Sequence, residues 1–241
     1  MESFHIQKLQ KDIIKINPLT FFFMIRKKLY ILFVLIGITV FLAGCSKTKK
    51  EHWDNGNIKS EIEYSKGEMH GKAKWYFYEG DLQFEVNYLN GKIDGPSTRY
   101  FSNGKIQSIE NYKNDLLNGK ATDYIITGKI SEEKNYVNDT LDGKYKLWYA
   151  NGIVQIEGYY NKGQYDGKWI YRDAYGNIVG IGNFKNGNGT QTGYNALGNI
   201  IRKVNFKNNK KEGKEYYYDN EGVVVKVVNY VDDEPIKVVD R

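Results

Sequence analysis

Glycine recurs along this chain at an almost constant interval of 24 residues, and an aromatic residue follows each of these glycines at a fixed distance. We number every repeat from its first glycine, which takes position 0. Position 9 is again glycine, position 11 is aliphatic and position 17 is aromatic in every repeat. Self-similarity at such a period indicates an array of supersecondary units. The position-0 glycines are Gly71, Gly95, Gly119, Gly143, Gly167, Gly189 and Gly213.

Each repeat has the size of one β-hairpin plus its link to the next. Asn-Gly pairs such as Asn103-Gly104 lie near the middle, and Asn-Gly is the strongest short hairpin signal. Position 20 is Gly, Asp or Asn, which tolerate a left-handed backbone. In a regular strand, positions 11 and 17 would share one face because they differ by an even number. The short repeat from Gly167 to Gly189 lacks two residues, which we expect to be missing from its second turn.

The composition agrees with strands joined by tight turns, since aromatic residues make up 15% of the chain and there are 25 glycines but only 3 prolines. The sequence therefore predicts an all-β fold, an elongated antiparallel meander of tandem 24-residue hairpins after an N-terminal signal helix. The predicted divisions are a gene-model extension at 1–23, a lipoprotein signal peptide at 24–44, a lipidated tether at 45–52, one partial and seven complete repeats at 53–235, and a tail at 236–241.

The recurring pattern resembles the MORN repeat, particularly its bacterial variant. The segments HGKAKWYFYEGDLQFEVNYLNGKIDG and DGKYKLWYANGIVQIEGYYNKGQYDG show it most clearly, at 70–95 and 142–167. The resemblance extends from about Asn55 to Asp233. Bacterial proteins with such repeats are often labelled YwqK-family antitoxins of toxin–antitoxin systems, whereas MORN arrays elsewhere resemble scaffolds that bind proteins or membrane phospholipid. The family has no catalytic residues of its own to carry over.

The N-terminal region has the pattern of an export signal. Three cations precede a short apolar run that begins at Leu29, and small residues and a cysteine follow. Residues 42–45, LAGC, resemble the lipobox of bacterial lipoproteins, which implies cleavage between Gly44 and Cys45 and a lipid on the Cys45 sulfur. An uncleaved signal anchor is the alternative. Met24 begins a compact signal, so we expect translation to start there.

The charge distribution does not favour nucleic-acid binding. The chain has 35 basic and 29 acidic residues, but residues 45–241 alone carry 29 basic and 27 acidic ones. A nucleic-acid footprint requires basic charge concentrated on one face. We therefore expect no nucleic-acid partner.

No catalytic motif is present in the part of the sequence that would be exported. It contains two histidines, His52 and His70, and no HExxH, CxxC, GxSxG or Walker-type loop. Asp94, Asp142 and Asp166 each precede a position-0 glycine, and turn formation explains their recurrence. We therefore expect no enzyme activity, no metal site and no cofactor other than the lipid on Cys45.

Dense aromatic runs place rings on both faces of the predicted sheet, because side chains alternate along a strand. One face is expected to pack as aromatic ladders. Rings on the other face are either further ladders or a surface that holds a glycan, a lipid or a partner chain. The candidate binding residues are Trp75, Tyr76, Tyr100, Trp148, Trp169 and Tyr171.

These observations together predict a non-catalytic lipoprotein of the bacterial cell envelope, anchored to a membrane that the sequence does not identify. Its repeat sheet is expected to act as a scaffold for another envelope protein. Two alternatives remain open, namely a glycan- or phospholipid-binding module and an antitoxin or immunity protein.

Overall fold

The computed structural model describes residues 46–240, and all the statements below concern that range. It contains 19 β-strands and no helix, so it has no helical segment that could cross a membrane. The strands are β1 Lys47–His52, β2 Ile58–Ser65, β3 Glu68–Tyr76, β4 Leu82–Leu89, β5 Lys92–Tyr100, β6 Ile106–Lys113, β7 Leu116–Leu117, β8 Gly119–Tyr124, β9 Ile130–Val137, β10 Thr140–Leu141, β11 Gly143–Trp148, β12 Val154–Asn161, β13 Gln164–Arg172, β14 Ile178–Lys185, β15 Asn188–Tyr194, β16 Ile200–Lys207, β17 Lys210–Tyr218, β18 Val224–Val231 and β19 Glu234–Asp240.

The strands form one open antiparallel meander, which confirms the predicted fold class. The long strands pair with one another in chain order. The short strand β7 shares one place in the sheet with β8, and β10 shares one with β11. Among the described strands, β1 and β19 are the two edges.

One long edge of the sheet consists of two-residue turns, which lie at positions 19 and 20 of each repeat. Both residues of every turn have positive φ, as in Asn90 (52°) and Gly91 (78°). This is the type I′ geometry, whose twist matches that of the flanking strands. The turns are Lys66-Gly67, Asn90-Gly91, Asn114-Asp115, Asn138-Asp139, Lys162-Gly163, Asn186-Gly187, Asn208-Asn209 and Asp232-Asp233.

The opposite long edge consists of longer turns around position 9. In the first complete repeat, the Gly80 amide donates to the Phe77 carbonyl (3.0 Å), and Gly80 then takes a φ of 102°. This is a turn followed by a glycine bulge, which forms a three-residue loop. The central Asn-Gly pairs therefore do not form two-residue turns, because only the glycine has positive φ.

Hydrogen bonds join successive turns along both edges. At the two-residue turns, the position-20 amide donates to a carbonyl of the previous repeat, as from Gly91 to Met69 (2.9 Å) and from Asp115 to Ile93 (2.8 Å). At the three-residue turns, the Asn55 side chain donates to the Tyr78 carbonyl (2.9 Å). Each such bond contributes about 1 kcal/mol. Every two-residue turn from Asn90-Gly91 onward is thus held to the preceding repeat, and several of the three-residue turns are also joined to the next one.

A bulge at the position-0 glycine interrupts most of the hairpins. Between β4 and β5, Val86 pairs with Ser97 but Tyr88 pairs with Ile93, so two extra residues lie on β5 around Gly95. The pairing of β14 with β15 is regular, with Phe184 opposite Gly189. The short repeat has therefore lost its bulge. The prediction that the two residues are missing from the turn is wrong, because the Asn186-Gly187 turn is complete.

A second recurrent bulge separates the aliphatic position 11 from the aromatic position 17. Leu82 pairs with Tyr76 and Tyr88 pairs with Gly71. Tyr76 and Gly71 are five residues apart on β3, so they lie on opposite faces. Leu82 and Tyr88 therefore face opposite ways, contrary to the expectation from regular alternation, because the bulge adds a residue between them.

The ends of the repeat array also differ from the predicted divisions. Residues 47–52, which the sequence assigned to a tether, form β1 and pair with β2 from Lys47 onward. The predicted tail at 236–241 lies mostly within β19, which pairs with β18 as far as Asp240. The proposed extension at 1–23, the signal peptide at 24–44 and its helix lie outside the described residues.

Candidate functional site

The strand register assigns the side chains to two faces, which we call face A and face B. In the β3–β4 hairpin, Ala73 pairs with Val86 and Trp75 pairs with Phe84, whereas Lys72 pairs with Asn87. Face A therefore carries positions 2, 4, 13, 15 and 17 of the repeat, and face B carries positions 1, 3, 5, 14 and 16. The hydrophobic core lies mainly on face A, where Ala73 is 0% and Val86 is 1% exposed.

The largest aromatic cluster is on face A of β11 to β16. The indole of Trp169 lies 4.7 Å from the Tyr165 ring, 5.0 Å from the Tyr160 ring and 5.6 Å from the Tyr145 ring, measured between centroids. Phe184 extends the cluster to Phe206, at 5.5 Å. Burial raises the pKa of Tyr160, so its hydroxyl stays neutral. These rings pack against one another rather than against solvent.

Glycines on β12 and β14 make this cluster possible. A Cβ on Gly158 would lie 2.2 Å from the Trp169 indole, and one on Gly182 would lie 2.2 Å from the Phe184 ring. Position 15 carries larger residues in other repeats, such as Val86 and Val204. The glycines therefore accommodate the rings by close approach and not by an unusual backbone conformation.

Face A also holds two groups of charged side chains, of which the first is half-buried and the second surrounds a buried carboxylate. Lys134 contacts Asp123 (3.1 Å) and Glu132 (2.7 Å). Burial alone would lower the pKa of Lys134, but the hydrogen bonds that its ammonium group donates to the two carboxylates outweigh burial and raise that pKa. One lysine thus bridges two carboxylates on neighbouring strands, which is a structural arrangement and not a free charged site.

The second group surrounds Glu215, which is fully buried. Its carboxylate accepts hydrogen bonds from Arg202 and from Lys211, the latter at 3.2 Å. Burial alone would raise the pKa of Glu215, but the bonds and charges of Arg202 and Lys211 hold the pKa below its ordinary value. The carboxylate is thus held in its charged form.

On face B, three position-5 side chains contact the position-14 carboxylate of the preceding repeat. The Tyr76 hydroxyl donates to Glu61 (2.9 Å) and the Tyr100 hydroxyl donates to Glu85 (3.1 Å). Burial and the Glu61 bond raise the pKa of Tyr76 to about 12. Arg172, the only non-aromatic residue at position 5, makes the equivalent contact with Glu157 (2.7 Å). Position 5 therefore joins neighbouring repeats.

The structure does not bring the six predicted binding aromatics together on one surface. Trp75, Trp169 and Tyr171 lie on face A, and Tyr76, Tyr100 and Trp148 lie on face B. Trp169 is only 3% exposed, so its assignment to a binding surface is wrong: the face-A cluster covers it. The other five are half-buried. Cys45 and Gly44, the predicted lipidation and cleavage residues, lie outside the described range.

The most exposed apolar side chains are instead at the tips of the three-residue turns, which the sequence analysis did not select. Tyr175 is 88% exposed and Leu197 is 86% exposed, at successive turns. Ile178 (45%) and Ile200 (46%) begin the strands that follow these two turns. We call these four residues the turn-tip surface. To recognise the turn-tip surface from the sequence, one would have had to know which residues occupy the tips of the three-residue turns.

Within residues 46–240, no group of His, Cys, Asp or Glu side chains has the arrangement of a metal site. The three aspartates at the bulges serve structural roles where their contacts are defined. Asp166 accepts a hydrogen bond from the Asn186 amide (3.0 Å), and Asp94 contacts Lys113 (3.0 Å). His52 ends the edge strand β1, and His70 lies in β3 beside the first bulge.

The solved structures that match this chain include two local likenesses. The crystal structure of a GtfA/B complex bound to UDP and GlcNAc is 17% identical over 45% of this chain and 23% of that chain, with a TM-score of 0.20. The crystal structure of TcdB2-TccC3 is 13% identical over 78% of this chain and 15% of that chain, with a TM-score of 0.15. This chain therefore matches less than a quarter of either structure. Neither TM-score supports an argument about function.

A search of the curated proteins finds no match. The family model described as "MORN repeat variant" matches residues 48–66, 69–90, 93–114, 141–162 and 188–208. Each matched segment contains a two-residue turn or ends close to one, and the intervening segments form hairpins of the same kind. This chain therefore contains MORN repeats of the variant type, and the strand register shows that the matched and the unmatched segments form one continuous array of hairpins.

Proposed function

We propose that the protein is a non-catalytic lipoprotein of the cell envelope whose repeat sheet is a scaffold for a protein partner. The observation that carries this proposal is the chemical difference between the two long edges of the sheet. The two-residue turns are entirely polar or glycine, whereas the turn-tip surface presents Tyr175, Leu197, Ile178 and Ile200 to solvent. Exposed apolar groups that align on one side of a molecule are typical of an interaction surface.

The spacing of the exposed apolar residues suits a partner that binds a repeated surface. Tyr175 and Leu197 lie at turns two strands apart, which corresponds to a spacing of about 10 Å. Hydrogen bonds hold comparable turns to their neighbours, as from the Asn151 side chain to the Ala174 carbonyl (2.8 Å). A surface that is already ordered loses little conformational entropy on binding. The proposed partner is an envelope protein with a complementary apolar surface.

The test is site-specific crosslinking in cells. With a photoreactive amino acid in place of Leu197, we expect one envelope protein to be crosslinked, and we expect the additional change Tyr175→Ser to reduce its yield at least tenfold. The same photoreactive group at Asn138, an exposed residue of the two-residue turns on the opposite edge, is the control. Equal crosslinking from both edges, or an unchanged yield with Tyr175→Ser, would exclude the turn-tip surface as the docking site.

A lipid anchor at Cys45 would place the sheet next to the membrane. Since β1 begins at Lys47, only Ser46 separates its first residue from the cysteine. Two residues span at most about 7 Å. The first edge of the sheet, with Lys47, Lys49 and Lys50, would then lie at the level of the lipid headgroups, where each basic residue is attracted by about 1 kcal/mol to an anionic leaflet.

The change Cys45→Ser should move the protein out of the mature membrane-bound fraction, because a serine hydroxyl cannot replace the thiolate as acceptor of the lipid. Mass spectrometry of the wild-type N-terminal peptide should show an acylated Cys45 and no peptide from residues 1–23. Ser46→Ala is the matched control and should leave fractionation unchanged. An unmodified Cys45 in membrane-derived protein would refute the anchor without affecting the scaffold.

The antitoxin role implied by the family resemblance is the remaining alternative. A gene for a secreted toxin next to this one would favour an immunity function, because an exported protein could meet such a toxin outside the cytoplasm. The turn-tip surface would then be the place to test for toxin contact.

A further inference from the structure

Position 16 of the repeat shows one exception that the fold does not require. It is asparagine in six complete repeats and tyrosine in one, at Tyr159. In three successive repeats, the asparagine side chain reaches past the bulge glycine and donates to the carbonyl at position 1 of the next repeat. These bonds run from Asn87 to Pro96 (3.0 Å), from Asn111 to Lys120 (2.7 Å) and from Asn135 to Lys144 (2.7 Å).

Tyrosine cannot donate this bond in the same way, so the repeat that contains Tyr159 lacks the contact that the three preceding repeats make. The Tyr159 carbonyl accepts a bond from the Trp169 indole (3.2 Å), but the Tyr159 ring itself is 43% exposed on face B. A residue that breaks a local rule without improving the packing is a candidate for a functional role.

The surroundings of Tyr159 supply cations. Its cross-strand partners are Lys144 on β11 and Asp166 on β13, and Lys146 lies two residues further along β11 on the same face. The Asp166 carboxylate is engaged by the Asn186 amide (3.0 Å) and by Lys185 (3.5 Å). Lys168, from the bulge of β13, lines the same surface groove, which has a volume of about 340 Å³. This volume is within the range of small-ligand sites. An exposed aromatic ring is thus flanked by three ammonium groups contributed by two strands.

The groove carries unbalanced positive charge. Its one carboxylate, Glu157, is bound by Arg172 at 2.7 Å and lies 4.0 Å from Lys146. On face B of other repeats, cations lie much closer to a carboxylate: Lys50 contacts Glu61, and Lys120 contacts Glu133. Neither Lys144 nor Lys168 has such an acidic contact among the ion pairs of the described chain.

We propose that this groove binds an acidic glycan, with a sugar ring against Tyr159 and its carboxylates on Lys144 and Lys168. The apolar C–H face of a pyranose ring makes dispersion contacts with an aromatic ring, and lysine ammonium groups attract carboxylates on the ring edge. A nucleic acid is disfavoured because residues 45–241 carry 29 basic and 27 acidic residues and are therefore almost neutral. The site is independent of the turn-tip surface and of the lipid anchor.

The test is binding of tetragalacturonate to the full-length protein in detergent, measured by calorimetry at low ionic strength, where exposed charges are least screened. We expect saturable binding by the wild type and at least a tenfold loss of affinity with Tyr159→Asn. This change restores the residue used by the other repeats, so it should leave the fold intact. Tyr159→Phe keeps the ring and should retain the affinity.

Lysine variants test the charged half of the site. Lys144→Gln combined with Lys168→Gln should weaken binding at least tenfold and flatten its salt dependence. The matched control is Lys72→Gln combined with Lys120→Gln, which removes the position-1 lysine from two other repeats. This control should change the affinity less than twofold. Uncharged maltotetraose should not bind.

Three results would overturn the proposal. They are no saturable binding of tetragalacturonate, binding that Tyr159→Asn leaves unchanged, and tighter binding of a single-stranded oligonucleotide than of the glycan with the same dependence on Tyr159. The last result would assign the groove to nucleic acid. None of these outcomes affects crosslinking from Leu197 or acylation of Cys45.

Discussion

Replacing Trp169 with alanine should lower the free energy of unfolding by about 3–5 kcal/mol, which is the usual cost of removing a buried aromatic side chain. Trp169 is 3% exposed and its indole contacts the rings of Tyr145, Tyr160 and Tyr165. The cavity cannot be filled easily, because Gly158 beneath the indole has no side chain. Urea denaturation followed by circular dichroism measures the change.

Tyr175→Ala is the control for this prediction. The Tyr175 side chain is 88% exposed, so its removal should change the free energy of unfolding by no more than about 0.5 kcal/mol. Gly158→Ala, which would bring a methyl group into the indole, should destabilise the protein in the same direction as Trp169→Ala. If Trp169→Ala cost no more than Tyr175→Ala, the face-A cluster would not be a core.

Glu215→Ala should cost about 3 kcal/mol, because it leaves Arg202 and Lys211 without their buried partner. We expect the lower end of the range for a broken buried ion pair, since the Arg202 side chain is 35% exposed and water can partly solvate its charge. Glu221→Ala, at an exposed turn tip, is the matched control and should be nearly neutral. A small effect of Glu215→Ala would show that solvent already compensates the two cations.

The same carboxylate predicts a dependence of stability on pH. The pKa of Glu215 is lowered in the folded protein from an ordinary value of 4.5, so the folded state binds this proton less readily than the unfolded state. The resulting stabilisation is fully present above the ordinary pKa and is lost as the pH falls through the folded pKa. The difference in unfolding free energy between wild type and Glu215→Gln should therefore be constant at neutral pH and shrink below about pH 4.5. A difference that grew on acidification would contradict this assignment.

Part of the candidate site could be anticipated from the sequence. Tyr159 is the single exception to asparagine at position 16 of the repeat. Lysine recurs at position 1, where Lys144 and Lys168 are two examples. Their meeting in one groove could not be anticipated, because it depends on which residues pair across β11, β12 and β13. The sequence prediction was based on dense aromatic runs and therefore included Trp169. The burial of Trp169 depends on Gly158, which lies on the neighbouring strand.

The sequence by itself determined the hairpin array, its antiparallel class and the approximate place of every turn. Turn residues such as Asn90-Gly91 act locally, since they set φ without help from distant parts of the chain. Only the tertiary structure decided which face of the sheet each side chain occupies and where the first and last strands begin and end. The bulges near Leu82 and Gly95 shift the alternation of side chains, and β1 forms only because β2 offers it a partner. Pairing between strands is a non-local interaction, so the pattern within one strand does not reveal it.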